Sequence, residues 1–158
     1  MRYVRVSLAR FEKFQEYVEN EKIKVKCLLS LDVPTRLNST HLMLDCALKF
    51  VRSFNRLEEE DGQYKFYFWE ADGKGKKPIG PSNYLDWENV KTFVKFLGIF
   101  YMVTLRFSGS LLVTSNTFFH ELISSEDQLQ QLCSVDRDPL LRSVTVKMKK
   151  KMISIGEV

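Results

Sequence analysis

Apolar residues recur at three- and four-residue steps along most of this chain, and the pattern predicts a run of amphipathic helices. From about Arg2 to Glu21, Val4, Leu8, Phe11, Phe14 (or Gln15) and Val18 keep helical spacing among basic residues, and Ser7 is placed to cap a second helix within that stretch. The segment VKCLLSLDVPTR is short, β-branched and leucine-rich. Residues 27–31 are its best strand candidate, and Pro34 holds the residue before it extended. Ser39 or Thr40 then opens a helix to about Leu57, with Met43, Ala47, Phe50, Phe54 and Leu57 in 3–4 alternation. Leu44, Leu48 and Val51 widen the stripe, so this helix is buried over much of its circumference. Asp45, Lys49, Arg52 and Arg56 share the remaining face, which is either solvated or turned to phosphates. Asp45 and Lys49 have the i,i+4 spacing of a helical ion pair.

Residues 58–83 break the pattern. They carry an acidic run, the aromatic knot Tyr64, Phe66, Tyr67, Phe68 and Trp69, and Gly73, Gly75, Pro78, Gly80 and Pro81, which together predict a long loop packed back by its aromatics. A long helix follows from Ser82 or Asn83 to about Phe107, with Trp87, Val90, Val94, Leu97 and Tyr101 in one apolar line and Gly109 as its stop. Thr114 or Ser115 caps the next helix, to about Cys133, with Phe118, Leu122, Leu129 and Leu132 inward. Asp138-Pro139 starts the last, with Leu140, Leu141, Val144 and Met148 on its apolar face. The expected fold is mainly α, with four to five helices, one short strand and one long loop.

Composition narrows what this helical chain does. With 158 residues and 44% hydrophobic content it has the material for one cored domain. A net charge of +4 permits an acidic partner such as nucleic acid without demanding one. Three scattered cysteines, Cys27, Cys46 and Cys133, fit free thiols in a reducing compartment better than a zinc site. The most apolar run, FLGIFYMVTL, is too short to span a bilayer, so no membrane association is expected.

Candidate chemistry is sparse. His120-Glu121 begins an H-E-x-x-H motif, but Ser124 stands where the second zinc ligand belongs. The GKGKK segment lacks the spacing of a phosphate-binding P-loop, and Glu58-Glu59-Glu60-Asp61 fits a solvated helix end. No catalytic residue, metal site, cofactor or small-molecule substrate emerges.

One stretch is more specific. DVPTRLNSTHLMLDCALKFVRSFNRLEEED, residues 32–61, resembles the D-x-P-T-R-W-N-S-T-Y-x-M-L segment of plant hAT-superfamily transposases, notably the RICESLEEPER-like, zinc finger BED domain-containing group. The likeness extends over RYVRVSLARFEKFQEYVENEK, over residues 82–122 and over DPLLRSVTVKMKKK, and so covers nearly the whole chain. The resemblance implies a single piece, residues 1–158, of the RNase-H-fold region. It also implies a helical-insertion fragment of that core, with a divergent tail over 152–158. Such transposases place two aspartates and one glutamate around two divalent cations. By the family's order the aspartates precede this chain and the glutamate follows it, so the chain is expected to be a catalytically incomplete element and not an enzyme.

The resemblance also implies DNA as partner and the nucleus as location. Leu37 stands where the family has a tryptophan, which removes an aromatic face for base stacking. Arg36 and Asn38 are kept, and with Lys49, Arg52, Arg56, Lys147, Lys149, Lys150 and Lys151 they are the candidate DNA contacts for weak, non-specific binding. The alternative is an interaction remnant that docks onto intact hAT-family proteins through uncovered apolar faces, or has no function.

Overall fold

A computed structural model describes residues 1–25, 27, 29–33, 36–70, 80–109, 114–135 and 142–147. In chain order its elements are α1 (Arg2–Arg5), α2 (Leu8–Asn20), α3 (Leu37–Lys49), α4 (Val51–Glu60), α5 (Gly62–Glu70), α6 (Tyr84–Gly109) and α7 (Ser115–Val135). A final helix, α8, covers residues 142–147. The mainly α expectation fits, but its count of four to five helices and its strand do not. Eight helices and no strand occur among the described residues.

Each discrepancy has a local cause. Ser7 adopts an extended backbone (φ −130°, ψ 133°), which separates α1 from α2 and leaves Leu8 largely exposed while Tyr17 joins Phe14 inside. Phe50 leaves helical geometry (φ −109°, ψ 16°), ending α3 and starting α4 where one continuous helix was expected. Its ring is buried against Phe14 at 6.1 Å, so the interrupted backbone coincides with a core contact. The loop expected over 58–83 is helical over its first half. Asp61 Oδ1 accepts the Gln63 N–H at 3.0 Å, an aspartate cap that starts α5 in the midst of the aromatic knot. The rest of that loop, residues 71–79, lies outside the described residues.

The strand candidate at 27–31 is irregular where described, and no second strand to pair with it occurs among the described residues. It is fixed otherwise. Leu29 enters the core, and Cys27 is joined to Cys46 of α3 by a disulfide, with Cα atoms 6.3 Å apart. This pairing replaces the free thiols expected at both positions.

The chain divides into two compact units, Met1–Lys91 and Thr92–Val158. In the first, Phe14 lies between Phe50 (6.1 Å) and Phe54 (4.8 Å), and Phe54 meets Trp87 at 5.8 Å. Tyr3 makes edge contacts with Tyr64 and Tyr67 at 5.1 and 5.2 Å, which ties α1 to α5. Fully burying such a ring stabilises by about 1.5–3 kcal/mol, and each favourable ring pair adds about 0.5–1.5 kcal/mol. In the second unit Phe96 sits between Phe93 and Phe100, Leu97 and Leu129 are buried, and Arg106 pairs with Glu121 at 2.6 Å. Phe118, expected to point inward, touches Phe107 at 5.7 Å yet remains 41% exposed.

Burial holds the Tyr3 hydroxyl neutral, as does its hydrogen bond to the Asp61 carboxylate at 2.7 Å. Its pKa is pushed up to about 12 from 10.0. Burial does the same for Tyr64, also to about 12. The folded phenols hold their protons more tightly than unfolded ones, so the stability they contribute is full below pH 10 and is lost as pH rises through about 12. Urea unfolding followed by far-ultraviolet circular dichroism is expected to give a steady midpoint from pH 7 to 9. The midpoint should fall between pH 10 and 12, less steeply in Tyr3→Phe.

Candidate nucleic-acid interface

The first unit holds a cavity of about 500 Å³ between the end of α2, the α3–α4 junction and the first two turns of α6. Four cations, Lys22, Lys49, Arg52 and Lys91, line it against two carboxylates, Glu21 and Glu88. Its excess of positive charge suits an anion.

The sequence builds each wall differently. α2 ends in a Schellman motif: the Ile23 N–H donates to Val18 O at 3.1 Å and the Lys22 N–H to Glu19 O at 2.9 Å. Val18 and Ile23 both pack on the core, the apolar contact that accompanies this turn. The turn requires a left-handed residue, and that residue is Lys22 (φ 52°), where glycine is usual. Such a conformation costs a β-carbon-bearing residue about 1–2 kcal/mol.

The second wall follows from the helical phase of Lys49 and Arg52, three residues apart on either side of the Phe50 break. Lys49 Nζ is held by Asp45 at 2.7 Å, the ion pair expected from their spacing. Arg52 is exposed and has no ion pair among the described residues. The third wall is set by a reciprocal cap on α6. The Asp86 N–H donates to Asn83 Oδ1 and the Asn83 N–H to Asp86 Oδ2, both at 2.9 Å. That cap sets the backbone of the turns that carry Tyr84, 79% exposed, Trp87 and Lys91. Lys91 Nζ is paired with Glu88 at 2.6 Å, and this carboxylate raises the ammonium's pKa. The Trp87 indole N–H is buried without a hydrogen-bond partner among the described residues. An orphaned donor of that kind costs about 1–3 kcal/mol.

Of the residues named from sequence, Lys49 and Arg52 therefore come together. Arg56 does not join them. Its guanidinium donates to Glu60 at 2.7 Å, approaches Glu21 at 3.5 Å and lies 5.8 Å from the Tyr17 ring centre. The Glu60 hydrogen bond raises the Arg56 pKa, and the same bond lowers that of Glu60. Arg56 is thus engaged within the protein by Glu60 and Glu21.

Arg36 is exposed at the start of α3, and its carbonyl accepts the Ser39 N–H at 2.9 Å. Asn38 is half-buried in the first turn. The start of α3 is held by Thr40 Oγ1 donating to Asp32 Oδ1 at 2.7 Å and by the Val33 N–H donating to Ser39 Oγ at 2.8 Å, so this motif works as a local clasp. Lys147 is exposed on α8, and Lys149, Lys150 and Lys151 lie outside the described residues. Sequence reasoning missed Lys22, Tyr84 and Trp87 as cavity residues. No three His, Cys, Asp or Glu side chains gather as a metal-binding group among the described residues. No described helix is long and apolar enough to cross a membrane.

Residues 1–76 match the ZBED1 RNase-like helical domain, which accounts for a helical first unit carrying the D-x-P-T-R motif. The chain as a whole is related to the plant hAT-like transposases. It is 30% identical over 151 residues to the zinc finger BED domain-containing protein RICESLEEPER 2 of Oryza sativa subsp. japonica, covering 96% of this chain and 19% of that protein. It is 27% identical over 143 residues to the zinc finger BED domain-containing protein DAYSLEEPER of Arabidopsis thaliana, covering 89% of this chain and 18% of that protein. It is 30% identical over 124 residues to the "Putative AC transposase" of Zea mays, covering 78% of this chain and 14% of that protein. The chain thus spans about a fifth or less of the length of these curated relatives. No solved structure matches it.

The left-handed lysine yields a direct expectation. Lys22→Gly removes the β-carbon clash but adds freedom to the unfolded chain, so it should stabilise the protein by about 0.5–1 kcal/mol. Urea denaturation checks this, and a loss of stability in that variant would contradict the assignment.

Proposed function

We propose that this chain is a non-catalytic, DNA-binding helical module of a hAT-type transposase, acting in the nucleus and contacting phosphates without reading sequence. The observation that carries this reading is the cationic cavity wall formed by Lys49 and Arg52, with Lys22 and Lys91 beside them. Phosphate contacts of this kind position nucleic acid and carry no base information. Arg36, Asn38 and the basic stretch Lys147, Lys149, Lys150 and Lys151 are the further contacts we assign to it. Relationship to BED zinc finger proteins supports DNA as the partner, and the match of residues 1–76 to a helical domain supports a role apart from the chemical step.

A second reading has its own observation. In the second unit Met102, Leu105, Phe118, Phe119 and Ile123 are each at least 41% exposed. Apolar surface of that kind supports docking onto another hAT-family protein.

The first reading is tested by fluorescence anisotropy with labelled duplex DNA across a salt series. Binding is expected to weaken with a log–log slope of about −4 to −8, as the four cavity cations with up to five further basic contacts require. The double variant Lys49→Ala/Arg52→Ala should flatten that slope by about 2. A flat response in the unaltered protein, or no binding at low salt, would sink the proposal.

A further inference from the structure

We propose that the cavity of the first unit takes one unpaired nucleotide, its base against Tyr84 and Trp87 and its phosphate between Lys22 and Arg52. The inference rests on the phosphate-binding reading above and goes beyond it, since a duplex backbone has no use for the aromatic side chains of this open cavity.

Four observations converge. The cavity, about 500 Å³, falls within the range of small-ligand sites, which runs from about 300 to 1,000 Å³. Its lining includes Tyr84, a tyrosine 79% exposed on a helix start whose backbone is capped by Asn83 and Asp86. An exposed aromatic ring beside cations is the arrangement on which unpaired bases stack. Its wall includes Trp87, whose indole N–H is buried and has no acceptor among the described residues.

The cations divide by how they are held. Lys49 and Lys91 each grip a carboxylate, Asp45 and Glu88. Lys22 and Arg52 show no ion pair among the described residues. Lys22 also occupies a backbone conformation that glycine would adopt without strain. Strain kept at the edge of a charged cavity points to a task for that side chain. A nucleotide satisfies all four features together, with its ring on the aromatics and its phosphate on the two uncommitted cations. Free nucleotide and single-stranded nucleic acid share that chemistry.

Tryptophan emission tests it, because a Trp69→Phe background leaves Trp87 as the reporter. The full chain is titrated with an oligothymidylate, with a duplex of equal length, and with thymidine monophosphate. The expected result is quenching of Trp87 by the oligothymidylate, with an affinity about tenfold weaker in Tyr84→Ala, the lower range for loss of a stacked base. Tyr84→Phe should restore it. Lys22→Gly should weaken it several-fold while unfolding at higher urea than the parent, which separates lost contact from lost fold. Quenching by the monophosphate as well as the oligonucleotide makes any nucleotide the occupant, and quenching by the oligonucleotide alone makes it single-stranded nucleic acid. If duplex binding persists with its salt dependence while Tyr84→Ala and Lys22→Gly bind the oligothymidylate normally, the cavity proposal is overturned and the phosphate reading stands. If neither duplex nor single strand binds, both fail.

Discussion

The contact on which the first unit depends is the insertion of the Phe14 ring between Phe50 and Phe54. α2 is a short helix whose outer face is charged, and α4 is more polar still, so neither has reason to form alone. Burying Phe14, Tyr17, Phe50, Phe54 and Leu57 together supplies that reason, and the geometry of everything nearby follows. Phe50 reaches Phe14 from a position where the backbone departs from the helix. The price of that contact is a broken α3–α4 junction.

The groove is a consequence of the same packing. Val18 and Ile23 press on the core and force the left-handed turn at Lys22. Trp87 reaches Phe54 and brings the start of α6, with Tyr84 and Lys91, opposite the α3–α4 junction. Phase then decides which cations face the cavity. Lys49 and Arg52 fall on its wall, whereas Arg56, one turn further on, is taken up by Glu60 and Glu21. A basic stripe on a helix is therefore not one surface but two, split by the acids it meets.

What the sequence made legible was periodicity and caps. Asn83 and Thr114, each one of two candidates at its helix start, are the residues that cap, and Asp45–Lys49 forms as its spacing indicated. Breaks were harder to read. Ser7 was visible as a possible cap, but Phe50 lies inside a favourable pattern, and its break coincides with the core contact to Phe14. The aromatic knot reads as loop packing in sequence because its rings keep no helical stripe, yet Tyr64, Tyr67 and Phe68 of α5 all join the core. Cys27 and Cys46 lie 19 residues apart, and only the fold reveals that they meet. Half of the site was legible for the same reason. Charges on one helix can be phased from sequence, whereas Lys22 and Tyr84 come from other elements.

If the aromatic insertion governs both fold and groove, weakening it must loosen both walls at once. Hydrogen–deuterium exchange on the parent chain and on Phe54→Leu measures this directly. The expected result is a matched loss of protection in α2, in α4 and in the first two turns of α6, with the second unit's α7 less affected. Loss confined to α4, with α2 and the start of α6 as protected as before, would contradict a shared aromatic core.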